Sequence, residues 1–140
     1  MLKLKNGSVR KPRILITTKD LEILENILGD GVGRSAGSRL LDEELSRAVV
    51  VNNGFNSRPF CRVGSRVTYE DLGTGVLRSV VVVLPGQANI DKGCISVLSP
   101  VGAALIGLTP GAVIGWSDES GRPHQLKLVE VENAYDPIIG

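Results

Sequence analysis

Apolar residues recur at helical spacing up to about residue 51 of this chain and alternate like strands from about residue 63. A chain that changes period once in this way joins a short helical segment to a sheet, an α+β class. In the first part Leu21, Leu24, Ile27 and Leu28 form one stripe, with Glu22, Glu25 and Asn26 mostly off it. Thr17 or Thr18 is the expected cap, because its hydroxyl can accept an unpaired first-turn amide, and Asp20 sets negative charge at the positive end of the dipole. Gly29, Gly31, Gly33 and Gly37 are read as the end of that helix, since so many glycines make continued helix costly. A second helix follows, capped by Ser35 or Ser38, with Asp42, Glu43 and Glu44 in its early turns and Leu41, Leu45 and Ala48 as its stripe. Two such helices predict an antiparallel hairpin in which each stripe covers the other.

The polar, turn-rich stretch Asn52, Asn53, Gly54, Asn56, Ser57 and Pro59 reads as a linker. After it come predicted strands over Arg66 to Leu72 and Leu77 to Leu84, with a hairpin turn through Gly73 and Gly75. Asp91-Lys92-Gly93 turns the chain into a third strand, Cys94 to Leu98. Ser99-Pro100 opens a short helix that Gly107 ends, with Ser as cap and Pro where its missing N–H costs nothing. Strands over Ala112 to Trp116 and Leu126 to Val131 close the domain. Connections this short predict an antiparallel sheet around one helix. The expected divisions are a disordered basic arm over 1–13, the hairpin over 14–51, a linker over 52–62, the sheet domain over 63–133 and a tail over 134–140.

Composition excludes several chemistries. The longest aliphatic run, Val80 to Leu84, is far short of the ~20 residues of a spanning helix, and no apolar stretch follows Lys3 and Lys5 to make a signal peptide. A cytoplasmic protein is expected. Cys61 and Cys94 have no C-x-x-C partner and His124 is the single histidine, so zinc and disulfide scaffolds lack their residues. These three are read as structural. Gly29-Asp30-Gly31-Val32-Gly33 lacks the Lys-Ser/Thr of a phosphate loop and joins helix to helix. The acid groups at Asp42 to Glu44, Glu70 with Asp71, and Asp118 with Glu119 have no third ligand beside them, and read as helix-dipole and turn acids. No cofactor, metal or catalytic residue is expected. The net charge of +1 hides a partition: Lys3, Lys5, Arg10, Lys11, Arg13 and Lys19 precede any acid, and the acidity concentrates in residues 20–57. The arm has the charge for a weak nucleic-acid contact.

The segment Cys94-Ile95-Ser96-Val97-Leu98-Ser99-Pro100-Val101-Gly102-Ala103-Ala104-Leu105-Ile106-Gly107-Leu108, with Gly64 to Leu72 and Thr109-Pro110-Gly111-Ala112, resembles the C-terminal domain of the bacterial Gre transcript cleavage factors. With a short helical hairpin in front, the chain is similar to the regulators of nucleoside diphosphate kinase, a Gre-related group. The resemblance is strong over about 63–132, is one of architecture over 13–51, and does not reach residues 1–12. It implies a fold like the FK506-binding prolyl isomerases. It also implies a partner, RNA polymerase, held at the rim of its secondary channel through the β′ coiled coil. The positions matching the Gre docking loop are Leu98, Ser99 and Pro100; Glu70 and Asp71 extend the site as acids facing a basic partner. Gre factors carry an Asp and a Glu three residues apart at the tip of a long hairpin. Here helices of about 11 residues give a finger only ~17 Å long, and Asp30 is followed by Gly33 and Arg34 instead of a second acid. The resemblance therefore implies binding without cleavage. Two other readings are a prolyl isomerase, disfavoured by aromatics spread over different elements, and direct DNA binding through the arm.

Overall fold

A computed structural model describes residues 11–29, 35–52 and 59–132. The expected arm before Lys11, the acid-poor tip at Asp30, Gly33 and Arg34, and the tail lie outside these residues. The order is β1 (Leu15–Thr17), α1 (Thr18–Gly29), α2 (Ala36–Ser46), β2 (Val49–Val51), β3 (Arg66–Asp71), β4 (Val76–Val83), β5 (Cys94–Ser96), α3 (Pro100–Leu105), β6 (Val113–Ser117) and β7 (Pro123–Glu132). Among the described residues no helix is long and apolar enough to cross a membrane.

The helices begin where local chemistry places them. Thr17 Oγ1 accepts from Asp20 N at 3.0 Å, and Ser35 Oγ accepts from Ser38 N at 3.1 Å. Gly37, expected in the turn, is instead inside α2, and the first turn of that helix holds no acid. The reason is packing: a Cβ on Gly37 would lie 1.9 Å from the Leu98 carbonyl oxygen, so only glycine allows α2 to approach the later chain so closely. α2 packs more extensively on α3 than on α1, and the two apolar stripes do not simply cover each other.

β1 and β2 pair in parallel, Leu15 opposite Val49 and Thr17 opposite Val51, with α1 and α2 as the crossover between them. Neither strand was expected. The remaining strands form one sheet in the order β5-β4-β3-β7-β6. It is antiparallel except at β4 and β5, where Val81 to Val83 run parallel to Cys94 to Ser96. That corrects the all-antiparallel expectation. Two 3₁₀ turns, Pro85–Gln87 and Ile90–Lys92, carry the chain back, and Gly93 at φ 72° turns it into β5.

The fold is thus mixed helix and sheet around one apolar core. Ile14, Ile16, Leu24, Leu40 and Leu41 from the N-terminal part share that core with Cys61, Val67, Tyr69, Val97, Leu105, Leu108, Ile114 and Leu128. Burying a leucine or isoleucine fully stabilises by roughly 1.5–3 kcal/mol, so this shared surface ties the two parts together. Backbone bonds reinforce it: Leu15 N donates to Gly107 O at 3.0 Å, Gly107 N to Cys61 O at 2.8 Å, and Cys61 N to Leu108 O at 2.9 Å. Phe60 and Cys61, inside the expected linker, are buried, and burial pushes the Cys61 thiol up.

Two of the acids counted toward a negative helical segment are turned inward. Asp20 Oδ2 accepts from Val63 N at 3.0 Å, and burial raises its pKa. Glu44 is fully buried; one oxygen pairs with Arg47, whose other terminal nitrogen donates to the Pro12 carbonyl, and the other oxygen has no partner among the described residues.

Candidate docking groove

Ser99 is built into its loop by four hydrogen bonds. Its hydroxyl accepts from Gly102 N at 3.1 Å and donates to Ser96 O at 2.6 Å, while Ser99 N donates to Ser96 O at 2.9 Å and Ala103 N to Ser99 O at 2.8 Å. Ser96 Oγ accepts from Leu98 N at 2.9 Å. The first-turn amides of Gly102 and Ala103 are therefore taken up by Ser99 and are not offered to a ligand. Pro100 follows at the first helical position, exposed, its φ fixed by its ring. Removing the Ser99 hydroxyl, as in Ser99→Ala, is expected to destabilise the fold by about 1–2 kcal/mol, read as a lower urea midpoint at unchanged slope. An unchanged midpoint would mean that Pro100 alone holds the turn.

The loop forms one lip of a mostly apolar groove of about 570 Å³. Tyr69 on β3, Ile90 in the turn before β5, Ile95 on β5, Val101 on α3 and Trp116 on β6 line it. Ile90 is 79% exposed. Cys94 also faces this space, as does His124.

Strand register explains the aromatic wall. Trp116 and His124 are cross-strand partners in the β6-β7 pair, and their rings stack with centroids 5.4 Å apart. His124 Nε2 donates to Asp118 Oδ2 at 2.9 Å, while Asp118 Oδ1 accepts from Ser120 N, Ser120 Oγ and Arg122 N at 2.9, 2.7 and 2.9 Å. Those bonds, the His124 one foremost, hold the Asp118 carboxyl well below the usual carboxylate range. His124, expected to be structural, lies on the groove, and Tyr69 and Trp116, expected on separate elements, converge there. The β6-β7 register puts Trp116 beside His124, whereas nothing in the sequence marks Ile90 as a lining residue.

The two acids proposed beside the loop separate. Asp71 shares a face of β3 with Val67 and Tyr69 and lines a second groove of about 510 Å³, whose wall is the same Trp116-His124 stack. Its Oδ1 accepts from Gly73 N at 2.8 Å. Glu70 alternates to the other face, opposite Leu77 and Lys127, and lines neither groove.

Residues 58–133 match the family model described as "Transcription elongation factor, GreA/GreB, C-term". The chain is 31% identical over 130 residues to the regulator of nucleoside diphosphate kinase of Escherichia coli (strain K12), covering 91% of this chain and 93% of that protein. It is 39% identical over 84 residues to the transcription inhibitor protein Gfh1 of Thermus thermophilus, 59% of this chain and 53% of that one. Among solved structures, a prokaryotic transcription elongation factor GreA/GreB from Nitrosomonas europaea superposes with a TM-score of 0.67 at 31% identity, over 88% of this chain and all of that one.

Proposed function

The chain belongs to the GreA/GreB family of transcription elongation factors, and we propose that it regulates transcription by docking at the secondary-channel rim of RNA polymerase without provoking transcript cleavage. The observation that carries this reading is the Leu98-Ser99-Pro100 loop. It stands at the positions that the resemblance to Gre factors assigns to the docking loop, is hydrogen-bonded into one conformation, and raises Pro100 beside an apolar groove. A loop ordered in advance loses little entropy on binding, and an apolar groove walled by Tyr69 and Trp116 can take an apolar side chain of the partner. The β′ coiled coil is the partner element proposed, with Asp71 as a flanking acid. Glu70, on the other face, is an outlying member of the site.

Two features support the absence of cleavage. α1 has 12 residues and α2 has 11, which at 1.5 Å per residue gives about 17 Å of reach. The sequence from Gly29 to Ser35 contains one acid, Asp30, in place of the Asp and Glu pair that the Gre resemblance associates with magnesium at the tip. Binding alone is the proposed activity, and that the Gfh1 relative is named a transcription inhibitor agrees with it.

Purified protein is expected to co-migrate with core RNA polymerase, and Pro100→Asn to weaken that binding at least about tenfold, or 1.4 kcal/mol, with the circular dichroism spectrum unchanged. Backtracked complexes should show no added cleavage, and a proline-containing peptide no faster isomerisation. Intact affinity in a folded Pro100→Asn protein would displace the site from this loop.

A further inference from the structure

The first turn of α2 packs on two segments that border the groove, at Leu98 and at Glu119. On one side, a Cβ on Gly37 would stand 1.9 Å from Leu98 O and 2.8 Å from the carbonyl carbons of Leu98 and Ser99. These are backbone atoms of the docking loop, which cannot swing aside as a flexible side chain could. On the other side, Ala36 N donates to Glu119 Oε2 at 3.1 Å, and Glu119 is the neighbour of Asp118 in the turn that positions His124 and Trp116. The loop has a second backbone seat beneath it: a Cβ on Gly102 would lie 2.1 Å from Ser96 O. The Leu98 carbonyl is thus pressed against α2, and the Ser96 carbonyl against α3. Close packing of this kind transmits displacement, because neither backbone can yield without moving the other.

We infer that Gly37 and Glu119 are positioning residues for partner binding: the first turn of α2 sets the docking loop and the β6-β7 turn in register, so that the helical segment and the groove act as one recognition device. The inference rests on the docking reading above. It goes further in making the placement of α2 a determinant of affinity although Gly37 touches no partner. The first turn of α2 and the groove are then coupled through a few backbone atoms, and a partner that moves α2 moves the loop.

Gly37→Ala is the direct test, read in the full chain by two measurements. Amide hydrogen exchange in the free protein should rise at least about tenfold at Leu98, Ser99 and Gly102 while the amides of β3 and β7 keep their protection. Affinity for core RNA polymerase should fall at least about tenfold with the cooperative thermal transition retained. Unchanged exchange at those three amides in a folded variant overturns the inference, whatever the affinity does. If wild-type protein fails to bind polymerase, the docking reading is lost, and exchange still decides whether α2 positions the loop. Should Gly37→Ala fail to fold, Glu119 decides: Glu119→Ala removes the acceptor of Ala36 N and should loosen the β6-β7 turn, whereas Glu119→Gln keeps an acceptor oxygen and should match wild type. Equal exchange in the two Glu119 variants and in wild type overturns the proposal.

Discussion

Gly107→Ala is expected to destabilise the protein by about 3 kcal/mol, combining left-handed strain with overpacking of a full site. Gly107 sits at φ 82°, and a Cβ there would lie 2.7 Å from Ile14 Cβ and 2.8 Å from Leu15 O. The strain has a built-in control. Gly111 has φ 94° with nothing within 4 Å of its Cβ position, so Gly111→Ala should cost only about 1 kcal/mol. The difference between the two urea midpoints measures how tightly β1 is pressed on the chain after α3. Equal losses would mean that β1 moves away freely to admit a methyl group. With typical stabilities of 5–15 kcal/mol, the Gly107 variant is a large fraction of the way to unfolding.

Arg47→Met is expected to cost about 3 kcal/mol at neutral pH, because it leaves a fully buried carboxylate without its cation. Burial is the largest influence on Glu44 and raises its pKa above the ordinary 4.5, with Arg47 and then Lys11 opposing. The sign follows. A carboxyl with a raised folded pKa favours the fold most when protonated, so its contribution is complete below pH 4.5 and is lost as the pH rises through the raised value. Without Arg47 that value climbs further. The variant should therefore regain stability as the pH is lowered from 7 toward 5, where wild type changes less. Glu44→Gln should remove this slope, since no proton is then exchanged. Parallel pH profiles for wild type and Arg47→Met would mean that Arg47 does not compensate the buried charge. The second Glu44 oxygen agrees with this sign, since no partner among the described residues favours its charged form.

What could be read along the chain was what short-range chemistry decides. Thr17, Ser35 and Ser99 cap their helices, and Pro100 stands at a first helical position, because a hydroxyl beside a free amide needs no distant partner. β3 and β4 announced themselves by alternation and β-branching. β1 and β2 did not. Each is three residues long and is a strand only because its partner waits beyond two helices, and Val49 to Val51 taken alone extend a helical stripe as readily. The parallel seating of β5 was equally hidden, since it depends on two 3₁₀ turns whose exposed residues carry no periodicity. At the groove, the loop was legible from its motif, whereas the Trp116-His124 wall needed strand register and the separation of Glu70 from Asp71 needed the pleat. Gly37 was misread as a turn glycine because the atom that demands it, Leu98 O, is far away in sequence.

The apolar core shared by Ile14, Ile16, Leu24 and Leu41 with Leu105, Leu108 and Leu128 separates two ideas of a module. The stretch that matches the family, 58–133, is the unit of descent. The unit of folding is longer, because a chain cut at residue 58 would open the faces of Leu105 and Leu108 to water and strip Gly107 of its partner on β1. Exchanging the helical segment for another would thus require re-cutting the core with it, and the seat of Gly37 against Leu98 O extends that constraint to the first turn of α2.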